Sequence, residues 1–417
     1  MKNKWIKKVI LFLTGQTITL FGSSLVQFAI SWHMTLTTKS GTVLMISTLC
    51  GFLPQVIISP FSGVLADRFD RKKLIMLADG MIAFFTLGLF IAFSLGYQEL
   101  WLLYLISAIR SAGSGIQTPA VSALLPDLVP EEKLMKVNGL NASIQSVMML
   151  LAPAAAGGLY SAMGLQSVFL VDVVTAVIGI GILAFVKVQR KAAAPVEQIT
   201  FFEDMKVGLR YVKMTKWLKQ YMLFYLVYAL MYGPVVFLTP LMVARSFGEE
   251  PWRLVAHETV FALGMIGGGF SISLLGDKFK NKSLMVIWAC ALFGVETLIM
   301  GFSKTFVFYL GAMLPMGLTL PYVNTGTMTV LQLKTDPPLM GRVFGMVSVI
   351  GSAAMPLSMA IFGPLADVVS VEAQLIITGV LMVIVSLFML RCKEMIEAGI
   401  IAPKEAPQPP AHLAQNE

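Results

Sequence analysis

The sequence predicts an all-α membrane protein: twelve transmembrane helices in two parallel six-helix repeats around a central cavity. Three observations carry that reading. The chain of 417 residues is 57% apolar and 13% charged, where soluble domains run to about 45–50% apolar and about 25% charged. Its apolar residues fall into runs of roughly 20, the length that crosses a hydrocarbon core of about 30 Å. The two halves of the chain also repeat one loop at an offset of 210 residues. With a mean hydropathy of +0.79, too little polar surface exists to face water, which excludes a soluble enzyme and a disordered chain.

In chain order the apolar runs cover 9–34, 42–66, 74–95, 101–126, 139–162, 166–186, 218–244, 257–276, 284–303, 306–333, 343–366 and 371–391. Met1-Lys2-Asn3-Lys4-Trp5-Ile6-Lys7-Lys8 precedes the first run. That run is too long for a signal peptide and lacks a cleavage site, so it reads as an uncleaved first span. The longest loop lies between spans six and seven and separates residues 1–189, the first half, from 218–392, the second. Within the 190–217 linker, Thr200-Phe201-Phe202-Glu203 is a capping-box pattern that opens a helix. Phe201, Phe202, Met205, Leu209 and Val212 share one face, opposite Glu203, Lys206, Arg210 and Lys213. Such a helix suits the cytoplasmic interface, or else packs on the bundle. The 393–417 tail, with Pro403, Pro407, Pro409 and Pro410, is expected to be disordered.

Placing the 31 Lys and Arg residues on alternate sides puts 26 at one end; Lys39, Arg245, Arg253 and Lys304 fall at the other, and Arg110 lies inside a span. Positive loops stay cytoplasmic, so both termini are expected inside, with the chain in a bacterial cytoplasmic membrane. The net charge of +8 is then a topogenic signal, with attraction to anionic membrane lipids secondary and no nucleic-acid footprint. Cys50, Cys290 and Cys392 lie in or beside apolar runs and read as packed thiols. His33, His257 and His412 are the only histidines, and His257-Glu258-Thr259-Val260-Phe261 lacks a second metal-binding histidine. No metal, cofactor or enzymatic constellation is therefore expected. No Gly-Lys-Ser/Thr phosphate loop occurs, so energy is expected from an ion gradient.

The repeated loop reads Leu65-Ala66-Asp67-Arg68-Phe69-Asp70-Arg71-Lys72-Lys73-Leu74 and Leu275-Gly276-Asp277-Lys278-Phe279-Lys280-Asn281-Lys282-Ser283-Leu284. Val137-Asn138-Gly139 with Gly157 likewise matches Val343-Phe344-Gly345 with Gly363, at an offset of 206. Two parallel six-span repeats are an architecture of secondary transporters, whose substrate sites lie near the midplane where the repeats meet.

From Gly63-Val64-Leu65 through Asp67-Arg68 to Arg71-Lys72, the chain resembles the signature loop of the major facilitator superfamily, with Asp70 where the family usually has glycine. The resemblance implies a cytoplasmic gate in which Asp67 pairs with Arg71 and accepts from a neighbouring helix end. The candidate gate residues are Gly63, Asp67, Arg68, Arg71, Lys72, Asp277, Lys278, Arg342 and Asp367. Charged pairs at a water edge break and remake between two states at modest cost. Arg110 with Gly113 and Gly115 resembles the arginine motif of span four. Ala152-Pro153-Ala154-Ala155-Ala156-Gly157-Gly158 resembles the Pro-x-x-x-Gly-Gly end of the exporter signature. Pro153, Gly157 and Gly158 are therefore candidates for close helix packing.

Gly51-Phe52-Leu53-Pro54, Ala78-Asp79, Gln117-Thr118-Pro119-Ala120, Val129-Pro130-Glu131-Glu132, Gly341-Arg342-Val343-Phe344 and Ala366-Asp367 together resemble the macrolide-efflux branch of the superfamily, which is close to siderophore exporters. The resemblance implies a secondary active efflux transporter for bulky hydrophobic drugs such as macrolides, working by proton antiport as a monomer. Export of a siderophore or other endogenous metabolite is the alternative.

Ionisable groups at membrane depth cost at least about 2.5–3.5 kcal/mol each, so those present are expected to face a cavity. Arg110 and Glu296 lie roughly 13–18 Å deep at 1.5 Å per residue, and Asp79 and Asp172 are shallower. A carboxyl in a low-dielectric cavity can exchange a proton as the cavity opens to each side, which makes Glu296, Asp172 and Asp79 the proton-coupling candidates. Capping of helices is the alternative for Asp79 and Asp367. Polar candidates for the central cavity are Arg110, Gln16, Gln27, Asn141, Gln145, Tyr232 and Asn324. The chain has 27 Met and 27 Phe residues, side chains that repack around varied bulky ligands. Sequence does not sort Met148, Met149, Met231, Met265, Met316 and Met355 into cavity and lipid.

Overall fold

Buried backbone polar groups in hydrocarbon must be satisfied within their own segment, and the chain answers with long helices. The computed structural model describes residues 4–186, 188 and 201–400. The first half holds α1 (Lys4–Thr38), α2 (Gly41–Arg68), α3 (Arg71–Ser94), α4 (Leu100–Leu128) and α5 (Leu134–Ala184). The linker helix α6 (Phe201–Met214) follows. The second half holds α7 (Lys216–Phe237), α8 (Thr239–Met242), α9 (Pro251–Leu275), α10 (Lys282–Gly301), α11 (Phe306–Lys334), α12 (Met340–Leu365) and α13 (Val371–Met389), ending in α14 (Lys393–Ala398).

Among the described residues ten helices are long and apolar enough to cross a membrane. One of them, the 51-residue α5, breaks at Gly164, where φ is +76°. Glycine enters that conformation without strain, so α5 becomes two crossings, 134–163 and 165–184. The 29 residues of α4 also reach across, their apolar run diluted by Arg110, Gln117 and Asp127. Twelve crossings result. Pairings of α2 with α4 and α3 with α4 recur in the second half as α9 with α11 and α10 with α11. That recurrence is the structural form of the 210-residue repeat.

Polar caps close the connections. Ser40, Asp70, Asn281, Thr305 and Ser370 each accept a backbone N–H three residues on, satisfying a donor that the helix start leaves free. Asp70, where the family usually has glycine, thus starts α3 through its bond from Lys73 N at 3.2 Å. Large side chains such as Trp32, Phe169, Tyr221, Phe293 and Tyr309 are fully buried. Leu77, Phe84, Val177 and Phe388 stand more than 60% exposed on the flanks. That much exposed apolar surface is tolerable in lipid and not in water.

Several boundaries differ from the sequence reading. α9 starts at Pro251 rather than 257, because proline suits the first helical turn and its missing N–H is unpaired there anyway. The tail is partly ordered: α14 buries Met395, and Lys282 N donates to Gly399 O at 2.8 Å. Residues 401–417 lie outside the described residues, as do Thr200 and most of the linker before α6. α6 packs on the second half, with Gly208 against Arg342 and Met346 and the Tyr211 hydroxyl donating to Asp336 at 3.3 Å. Its Val207 and Leu209 remain exposed.

Candidate transport site

The two halves lock together at the lysine-poor end. Gly41, at the start of α2, lies so close to α12 that a Cβ there would stand 2.1 Å from the Gly363 carbonyl oxygen. A Cβ on Gly157 would stand 2.0 Å from Val255 Cγ2 across the same divide, whereas Gly158 has nothing within 4 Å. Pro153 is buried within the first arm of α5. Just past α12, Asp367 accepts from Gly41 N at 2.7 Å, Thr42 N at 2.9 Å, Thr42 Oγ1 at 2.6 Å and Ser40 Oγ at 3.0 Å. Arg245 donates to Asp367 at 3.1 Å and to the carbonyls of Lys39 and Ala366. Lys39 pairs with Glu249 beside it.

Asp367 therefore does not belong to the cytoplasmic gate group in which the sequence reading put it. It caps α2 from the opposite half, and the 28 residues of α2, about 42 Å of helix, separate that cap from the signature loop. Partial burial disfavours its charge, but the hydrogen bonds from Thr42, Gly41 and Ser40 outweigh burial and hold the Asp367 pKa at about 2.

At the lysine-rich end, Arg71 donates to the Ala123 carbonyl and to Asp127, both at 2.8 Å. Lys72 donates to the carbonyls of Ala184 at 2.7 Å and Val186 at 2.9 Å, at the C-terminus of α5 where a cation is favoured. These partners all belong to the first half. Gly63, Asp67 and Arg68 lie on the last turns of α2 and Asp277 lies just past α9, their side chains outside what the structure describes; Lys278 is exposed, and Arg342 backs α6.

A pocket of about 240 Å³ lies in the second half, with Met149 of α5 its one lining residue from the first half. Met149 reaches it from α5, and Met265, Met313 and Met316 from α9 and α11, with Tyr232 and Phe261 beside them. Its one lining carboxylate is Glu258, whose side chain is 26% exposed. Glu258 Oε1 is 4.0 Å from His257 Nε2, and His257 Nδ1 meets the Tyr309 hydroxyl at 2.7 Å. Sequence reasoning missed Glu258 because it started that span at 257. With α9 beginning at Pro251, Glu258 is seven residues along the helix, about 10 Å. Of the polar cavity candidates only Tyr232 lines this pocket; Gln27, Gln145 and Asn324 are exposed and Asn141 is half-buried.

Arg110 is likewise not a lining group of this pocket. It is turned into the first half, where it pairs with Asp172 and donates to Thr86 Oγ1 at 2.8 Å and to the Ser23 carbonyl at 3.2 Å. Ser23 Oγ adds a bond to Asp172 at 3.4 Å, and both charged side chains are under 10% exposed. Buried charge stays bearable only while it is paired, and removing one partner costs about 3–5 kcal/mol. Asp172→Asn should accordingly lower thermal stability in detergent by about that amount. Adding Arg110→Gln to it should restore part of the loss, as read from melting curves of the single and double variants. Asp79 is buried beside Gln117, which donates to Gln16 at 3.1 Å. Glu296, 4% exposed, accepts from Thr319 at 2.9 Å, and its Oε2 has no hydrogen-bond partner among the described residues.

Two repeats of like-paired crossings are a transporter's arrangement, and the family model described as Major Facilitator Superfamily matches residues 12–359. The chain belongs to the major facilitator superfamily. This facilitator is 32% identical over 392 residues to Macrolide efflux protein A of Streptococcus pyogenes, covering 92% of this chain and 96% of that one. It is 33% identical to Macrolide efflux protein A of Enterococcus faecalis, over 76% of this chain and 100% of the relative. Among solved structures, a bacterial homologue of the iron transporter ferroportin in an inward-facing state superposes with a TM-score of 0.72. That match has 18% identity and covers 92% of this chain and 98% of the other, a likeness of fold alone. The protein is a multi-pass membrane transporter of small molecules.

Proposed function

We propose that this facilitator is a secondary active exporter of bulky hydrophobic drugs of the macrolide class, driven by exchange for protons across a bacterial cytoplasmic membrane. The observation that carries the reading is the pocket of the second half that Met149 reaches from the first, where four methionines and two aromatic rings surround a single carboxylate. Flexible thioethers adapt to large apolar shapes, and one carboxylate offers a charge to an amine. A volume of 240 Å³ seats only the amine-bearing end of such a drug. The end-to-end similarity to two macrolide efflux proteins supports the same reading.

With positive loops inside, the locked end faces outward and the lysine-rich end faces the cytoplasm, so the described state is inward-facing. A drug amine entering from that side displaces the proton of Glu258. After the halves rock, a proton from outside takes the carboxylate back and releases the drug. Glu296, held by one hydrogen bond with one oxygen spare, is the second proton carrier; Asp79 is a third candidate. Asp172 is tied to Arg110 and holds that charge in place.

Expression in an efflux-deficient host should raise tolerance to macrolides, and Glu296→Gln should abolish proton-driven transport while leaving membrane expression intact. Unchanged tolerance in that variant contradicts the role of Glu296. No shift for the parent chain with any macrolide contradicts the substrate class.

A further inference from the structure

A second and larger hollow, about 850 Å³, lies on the flank of the second half between α9, α10 and α11. Its two ends differ in chemistry. Lys278 and Lys280 stand exposed at its lysine-rich mouth, while Trp288, Leu292 and Leu318 line its body. Trp288 and Leu292 are 57% and 51% exposed, so the hollow opens sideways out of the bundle. The third lysine of the loop is already engaged, donating to the Gly276 carbonyl at 2.6 Å. Leu292 lies ten residues beyond Lys282, the start of α10, which is about 15 Å of helix. That is half of a hydrocarbon core of about 30 Å, the depth of one leaflet.

From this match of charge, apolar length and sideways opening, we propose that the hollow is a binding site for an anionic phospholipid. Its phosphate would sit between Lys278 and Lys280, with an acyl chain along Trp288 and Leu292. Assignment to the cytoplasmic leaflet rests on the orientation proposed above; the site itself does not. A neutral drug would fill the apolar body but leave both lysines without a counter-charge. The deep end of the hollow is Thr319, whose hydroxyl donates to Glu296. A bound chain would end beside the residue that donates to that buried carboxylate.

The test uses the full chain in symmetric phosphatidylcholine nanodiscs, titrated with bromo-acyl phosphatidylglycerol or bromo-acyl phosphatidylcholine. The signal of Trp288 is taken as the difference between wild type and Trp288→Phe. Half-maximal quenching should need a roughly 25-fold lower fraction of the anionic lipid, about fivefold for each lysine. Lys278→Gln with Lys280→Gln should remove that preference and leave the phosphatidylcholine curve unchanged, while the two Lys→Arg changes keep it. Equal quenching by both lipids, a preference that survives the double Gln variant, or no quenching of Trp288 would each overturn the proposal. Neither orientation nor transport enters the readout, so failure of the export reading leaves this result standing.

Discussion

Asp367→Ala should open the lysine-poor end of the molecule. The carboxylate accepts two backbone amides at the start of α2 and the hydroxyls of Ser40 and Thr42 from the opposite half, and the Arg245 guanidinium of its own half adds a further bond. A hydrogen bond to a charged group contributes about 1.5–3 kcal/mol. The site is partly exposed, so solvent screening leaves the whole set contributing about 2 kcal/mol, roughly a thirtyfold shift between the two states. Spin labels at Ser94→Cys and Lys304→Cys, with the native cysteines replaced, should report a longer distance population in the variant. An unchanged distance distribution would show that the glycine contacts alone hold the end shut.

The latch is also expected to ignore physiological pH. With its pKa depressed to about 2, Asp367 contributes stability that is fully present above its unfolded value of about 4. That contribution is lost only as pH falls through about 2. The same label distances should therefore not move between pH 5 and pH 8.

Glu258→Gln should cost this transporter its grip on amine-bearing drugs. The change keeps the shape of the pocket and removes its one lining charge. Loss of a charge-assisted hydrogen bond of about 1.5–3 kcal/mol corresponds to about ten- to a hundredfold weaker binding. Equilibrium binding of a labelled macrolide to purified protein should show that drop, and binding should lose its dependence on pH. A neutral macrolide analogue without the amine should bind wild type and variant alike. Equal affinity of both proteins for the amine-bearing drug would remove Glu258 from substrate recognition.

The crossings and the repeat were legible in the sequence because apolar run length and loop charge are local properties, visible without contacts. The break at Gly164 and the caps at Ser40, Asp70 and Ser370 follow the same local rules. The site was less legible. Glu258 was hidden by a boundary error of six residues at the start of α9, since the polar stretch before it looked like loop. Pro251 at the head of that stretch was the available signal. Asp367 is a gate candidate or a helix cap from sequence, and the lysine-poor side on which the alternation of charge puts its loop was the available signal for the cap. Arg110 was read as a cavity residue because sequence gives depth along a helix but not the direction in which a side chain points. Its pairing with Asp172 crosses 62 residues of chain and belongs to tertiary packing alone.

Drug flux and proton flux measured together in one vesicle test the central claim most directly. Inside-out proteoliposomes carrying the full chain, acid inside, should accumulate a labelled macrolide against its gradient and release protons at a matching rate when the drug is added. Glu258→Gln and Glu296→Gln vesicles should do neither. Drug accumulation that persists after the proton gradient is collapsed, or drug addition that leaves proton flux unchanged, would contradict the account.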